Sequence, residues 1–182
     1  LGFNSTHDAS AALVQDGRVV CAVDEERFSR KKHHFGLPEN AMRACLDAGG
    51  IDWADLDHVA FYWNPRKGLF SFGWHVIRNL PKSLAYFDHQ VGIWETFRHL
   101  PRLFRKKFGF RGRFHFLDHH RNHLASAFWP SPFDEAAALS VDGTGERETT
   151  VLGHVHEGGR LEFLETSVYP HSLGKLWETL TQ

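Results

Sequence analysis

The chain has 182 residues, 42% hydrophobic and 14% aromatic with 16 Phe and 6 Trp, too much large apolar surface for a disordered chain. Lysine and arginine number 21 against 22 acidic residues, a net charge of −1, so no whole-chain field draws it to nucleic acid or an anionic membrane. At roughly 150 residues per domain the length allows one domain or part of a larger one. The two cysteines, Cys21 and Cys45, are too few for a disulfide framework or a thiolate zinc cluster, which points to a reducing, cytoplasmic compartment. No apolar run reaches the roughly 18 to 20 residues that span a bilayer, and Leu1-Gly2-Phe3-Asn4 carries no signal pattern. Leu1 already reads as strand and Gln182 stops inside a helical pattern, so both ends read as cut.

Leu1 to Asn4 reads as a first strand, and Ala11–Val14 and Val19–Val23 as two more joined through Asp16-Gly17, a strong hairpin signal. The charged run Glu25 to His33 follows as a solvated connection in which Arg30 and Lys32 are also suited to pair with a phosphate or a similar ligand oxygen. Pro38 to Ala48 predicts a helix that starts on Pro and stops at Gly49-Gly50, and His58 to Trp63 a strand broken by Asn64-Pro65. Aromatic residues at helical spacing from Phe72 to Phe108, punctuated by Pro81 and Pro101, predict two or three helices. The basic stretch Arg98, Arg102, Arg105, Lys106, Lys107, Arg111 and Arg113 reads as the wet face of such a helix, with RNA or an acidic partner domain as the alternative. Phe114 and Phe116 mark another strand, and His119 to Phe128 a helix stopped by Pro130 and Pro132. Ala136–Asp142, Thr149–Val155 and Leu161–Val168 predict three further strands, followed by a helix from Leu173. The order strand, strand, strand, helix thus occurs twice, as in a duplicated α/β fold with a mixed sheet. The division expected is residues 1–130 as the first half and 131–182 as the truncated start of the second.

The chain has 14 His, densest at Asp118-His119-His120-Arg121-Asn122-His123. On a helix His119 and His123 share one face, while His120 is turned roughly 100° away. Asp142, closing an apolar strand, is the candidate third ligand. Two imidazoles and a carboxylate suit iron, zinc or manganese and leave coordination positions open. The metalloprotease pattern fails, because His120 stands where that motif requires Glu. The competing reading is an amphipathic helix with hydrogen-bonded histidines. Gly143, Thr144 and Gly145 form a small-residue turn that allows backbone N–H groups near a phosphate, although such a turn is also an ordinary hairpin. Asn4 to Ser10 is the matching turn of the first copy. In it, His7 beside Asp8 suits proton transfer or oriented donation, with a self-capping Asp as the simpler account.

Several segments together resemble the O-carbamoyltransferases that modify nodulation factors and antibiotics. They are Gly2-Phe3-Asn4 through His7-Asp8-Ala9-Ser10, Glu25-Glu26-Arg27-Phe28 with Arg30, Lys32 and His33, Asp118-His119-His120, Pro130 to Ala137, Val141-Asp142-Gly143, and Ser172-Leu173-Gly174-Lys175-Leu176. The resemblance implies an actin-like ATPase (ribonuclease H-like) fold, similar to the tRNA threonylcarbamoyltransferases, with a YrdC-like domain in full-length members. It implies carbamoyl adenylate, made from carbamoyl phosphate and ATP, as donor to a hydroxyl of a small-molecule or glycan acceptor. It places the metal, iron first and zinc or manganese next, on His119, His123 and Asp142. It places His7 and Lys32 in catalysis, and Asp8, Gly143, Thr144 and Gly145 beside the nucleotide. A chain lacking the rest of the second half is expected to be inactive by itself. The rival readings are a tRNA threonylcarbamoyltransferase-like enzyme, an actin-like sugar kinase that needs no histidine pair, and a basic binding module.

Overall fold

A computed structural model of the chain describes residues 1–67, 73, 76–78, 80, 92 and 95–181. In the first of its two units, Leu1–Tyr62 with Ile93–Phe116, a five-stranded mixed sheet runs in the order β3-β2-β1-β4-β5. Its strands are β1 (Gly2–Asn4), β2 (Ser10–Gln15), β3 (Arg18–Asp24), β4 (His58–Phe61) and β5 (Arg113–Phe116). The β1–β2 and β2–β3 pairs are antiparallel, and β1–β4 and β4–β5 are parallel. The first hairpin turns where the sequence predicts. Asp16 and Gly17 both take positive φ, 50° and 76°, the pair of left-handed residues that a tight hairpin of the right twist requires.

Two short connections follow β3: α1 (Glu26–Ser29) and then α2 (Glu39–Gly49), which buries Ala41, Met42, Cys45 and Leu46 at helical spacing. One residue of the expected solvated run is not solvated. Glu25 is 2% exposed, and its carboxylate accepts from the Ala41 backbone N–H at 2.8 Å and the Asn40 side-chain amide at 2.5 Å. It satisfies donors that the first turn of α2 leaves open, and an anion there is favoured by the helix dipole. The aromatic stretch expected to be helical from Phe72 lies partly outside the described residues, and its last part includes α3 (Leu100–Lys107). Phe104 of α3 is fully buried, 5.0 Å from the ring of Phe3, which lies 5.0 Å from Phe61, while Trp53 stacks on Phe108 at 4.3 Å. The basic residues from Arg98 to Arg113 are all exposed.

The second unit, Trp63–Gly92 with Leu117–Gln182, holds an antiparallel three-stranded sheet, β6 (Ala136–Val141), β7 (Glu148–Val155) and β8 (Leu161–Val168), in that order. Helix α4 (His119–Phe128) covers one face of it, and α5 (Leu173–Thr181) follows β8. Strand alternation sorts the residues. Ser140, Val151, Gly153 and Val155 are buried, while Leu139, Val141 and Leu152 are exposed on the other face. Leu124 of α4 sits directly over Gly153, where any Cβ would come within 2.8 Å of its Cδ1. Among the described residues no helix is long and apolar enough to cross a membrane.

Candidate metal centre

His119 opens α4 and His123 stands one turn on, so their rings share a face, as the spacing predicts. Asp142 follows the last residue of β6, and its backbone N–H donates to the Thr149 carbonyl at 2.9 Å. Three atoms meet there: Asp142 Oδ2 is 2.5 Å from His119 Nε2 and 3.2 Å from His123 Nε2, and the two nitrogens are 3.0 Å apart. Ligands held about 2.1 Å from one ion at right angles lie about 3.0 Å apart, the spacing of the nitrogen pair. Protons alone serve this arrangement poorly. If both Nε2 atoms carry hydrogen toward Asp142, two N–H groups confront each other across 3.0 Å, whereas two lone pairs and a carboxylate oxygen suit a cation. The hydrogen bonds of His119, then of His123, hold the Asp142 carboxyl far below the usual carboxylate range, against the desolvation that would raise it.

The neighbouring side chains fix those ligands. His120 is buried and points elsewhere. Its Nε2 is 2.8 Å from the Glu148 carbonyl, which can only accept, so that nitrogen carries the hydrogen and Nδ1 accepts from the Ser140 hydroxyl at 2.8 Å. Burial lowers its pKa, and the neutral ring ties α4 to β6 and β7. Glu146 accepts from the His119 backbone N–H at 3.0 Å and the Asn64 N–H at 2.8 Å, with its own pKa raised by burial. It caps the first turn of α4, where His119 sits. Lys67 adds ion pairs to Asp118 and Glu148, each at 3.2 Å. Asp142 is held from behind as well: Gly143 N–H donates to its Oδ1 at 2.6 Å, and the Ser172 hydroxyl reaches the Asp142 and Gly143 carbonyls at 3.0 and 2.8 Å. Gly174 lies against this backbone so closely that a Cβ would come within 2.4 Å of the Asp142 carbonyl carbon. Glu146, Lys67 and Ser140 carry no motif, and no signal in the sequence marks them; Asn64 is marked only as a strand break and Ser172 only as part of a family-like segment.

The other expected residues occupy three turns. Gly143, Thr144 and Gly145 lie between β6 and β7, where Gly145 N–H donates to the Glu148 carbonyl at 2.8 Å and a Cβ would meet that oxygen at 2.9 Å. Gly143 and Gly145 thus spend their N–H groups within the chain. In the first unit Asp8 takes φ 56°, and its carboxylate lies 2.9 Å from His33 Nδ1. His7 is exposed with its ring 6.2 Å from Phe35, edge to face, and Lys32 is exposed. The structure brings Asp8 to His33 rather than to a backbone cap of its own.

Against known proteins, the chain matches the family described as Carbamoyltransferase N-terminus over residues 1–182. It is 37% identical over 184 residues to an uncharacterised protein of Synechocystis sp., covering 96% of this chain and 30% of that protein. It is 32% identical over 174 residues to the nodulation protein NolNO of Sinorhizobium fredii, covering 94% of this chain and 24% of that one. In shape it has a loose likeness to YeaZ from Pseudomonas aeruginosa, with TM-score 0.44, 15% identity, and coverage of 93% of this chain and 66% of that one. The chain spans less than a third of the length of these curated relatives. With the match running over its whole length, this chain belongs to the carbamoyltransferase N-terminus family.

Proposed function

We propose that this chain is the metal-holding part of an ATP-dependent carbamoyltransferase. The observation that carries the reading is the convergence of His119, His123 and Asp142 on one point in a member of this family. The strand, strand, strand, helix order in each unit supports the duplicated actin-like, ribonuclease H-like fold. Carbamoyl adenylate, made from carbamoyl phosphate and ATP by a YrdC-like part of the full-length protein, is the donor. A hydroxyl of a small-molecule or glycan acceptor is the nucleophile. Its oxygen bonds to the carbamoyl carbon, the bond from that carbon to the phosphate oxygen breaks, and AMP leaves with the electron pair. A divalent ion, iron first with zinc or manganese next, would supply Lewis acidity toward the carbonyl or phosphate oxygen when bound.

The chain's own residues do the rest. His7, exposed beside a carboxylate that has His33 as its partner, takes the hydroxyl proton. Lys32 contributes a cation to the developing negative charge. Asp8 orders the His7 turn, and the Gly143-Thr144-Gly145 turn, which begins directly after a metal ligand, lies along the nucleotide phosphates, with Thr144 offering its hydroxyl. The test is metal analysis of the full-length protein beside the His119→Ala/His123→Ala variant, each assayed for carbamoyl transfer from carbamoyl phosphate with ATP. The expected result is stoichiometric metal and turnover in the parent, with both lost in the variant. A variant that keeps full turnover would sink the reading. His7→Ala is expected to lower kcat by about 100-fold or more while metal content stays intact.

A further inference from the structure

A second group of imidazoles and carboxylates stands on the sheet face turned away from α4. His154 and His156 are two residues apart along an extended segment, so both side chains leave the same face, and their ring centres are 4.1 Å apart. The neighbouring strands bring a carboxylate to each. Glu162 of β8 pairs in register with His154, and Ala137 of β6, two residues beyond Glu135, pairs with His154 from the other side. Glu135 Oε1 lies 2.8 Å from His154 Nε2, and Glu162 Oε2 lies 2.8 Å from His156 Nε2. One ligand atom each from Glu135, His154 and His156 falls within 4.8 Å of the others.

The group already holds a cation. Arg160 places a guanidinium nitrogen 2.9 Å from His156 Nε2 and 3.5 Å from Glu162 Oε2. That leaves His156 Nε2 facing a donor and an acceptor at once, and a single imidazole nitrogen serves only one of them, as a lone pair or as N–H. A metal ion resolves the conflict, since it takes the nitrogen's lone pair and the carboxylate oxygen together. The Arg160 side chain is 70% exposed.

We propose that Glu135, His154 and His156, with Glu162 beside His156, form a second divalent-metal site, one that takes Zn2+ in place of the Arg160 guanidinium. Two imidazoles with carboxylates and no thiolate suit a borderline ion, and the open surface leaves positions for water. Because its ligands come from β7, β8 and the residue before β6, the ion clamps one end of the three-stranded sheet. This site shares no residue with the first and stands whether or not the carbamoyltransferase reading does.

The experiment titrates the full-length protein with Zn2+ alone against a chromophoric chelator and records thermal unfolding with and without the ion. Zn2+ binds the folded state and so raises Tm. His154→Ala/His156→Ala is expected to lose one equivalent and its share of the Tm rise, while His119→Ala/His123→Ala keeps both. Glu135→Gln and Glu162→Gln each weaken that equivalent by about tenfold or more, the scale lost when even an outer partner of a ligand is removed. These two carboxamide variants also serve should the double histidine variant fail to fold. Arg160→Ala tightens binding, because a competing cation is gone. Retention of every equivalent and of the full Tm rise in His154→Ala/His156→Ala overturns the proposal.

Discussion

His119 and His120 are adjacent in the chain, yet one turns its Nε2 to Asp142 and the other gives its Nε2–H to the Glu148 carbonyl. The 100° between neighbouring helical positions separates a face that meets Asp142 from one that ties the helix to the sheet. Glu146 belongs to the structural side. Glu146→Ala leaves two backbone N–H groups, of His119 and Asn64, without their acceptor, and a cost of about 1–3 kcal/mol is expected in urea unfolding. Cys45 offers a pH test. Burial first, then the neighbouring Cys21, pushes its thiol from 9.0 up to about 12. Below pH 9 the thiol is protonated in the folded and unfolded chain alike, and its contribution is complete. Between 9 and about 12 only the unfolded chain loses the proton, so stability falls as pH rises. The urea midpoint of the parent should therefore drop over that window more than that of Cys45→Ala. A thiol reagent at neutral pH should modify half-buried Cys21 and leave fully buried Cys45 untouched until unfolding.

At the scale of elements, the place of Asp142 depends on α5 as much as on β6. Gly174 is the contact, since a side chain there would run into the Asp142 and Gly143 backbone at 2.4–2.6 Å. Gly174→Ala is expected to displace Asp142 and weaken metal binding at the first site by about tenfold, with α4 still helical by circular dichroism. The elements themselves were legible because their patterns are local. Asp16-Gly17 demands positive φ at both residues, His119 to Phe128 ends before Pro130, and β6 to β8 alternate at period two. The supports were not legible. Glu25 looked like part of a solvated run, and only the path of the chain brings its carboxylate 16 residues onward to the start of α2. Lys67 and Asp118, 51 residues apart, meet in the same way.

On the scale of the whole molecule, α5 presents Leu173, Leu176, Trp177 and Leu180 as one stripe, exposed by 56–75%. The sheet face beside β6 and β7 adds exposed Leu139, Val141 and Leu152. Apolar surface of this extent drives association in water. The 182-residue chain alone is expected to bind an apolar fluorescent dye and to self-associate in sedimentation, and Leu176→Lys with Trp177→Lys to suppress both. The family match covers all residues of the chain but under a third of its curated relatives, which sets the scale at which activity has to be assayed.

By itself the sequence determined the strands, the helices that begin at Pro38 and at His119, the Asp16-Gly17 hairpin turn and the pairing of His119 with His123, because each depends on residues within a few positions of one another. Tertiary structure brought the expected ligand Asp142 to that pair, and it alone decided that Glu146 and Ser172 hold the ligands in place and that Glu135 and Glu162 flank His154 and His156. Those contacts join residues distant in the chain, and their geometry is set by strand register and helix packing, which no local spacing encodes.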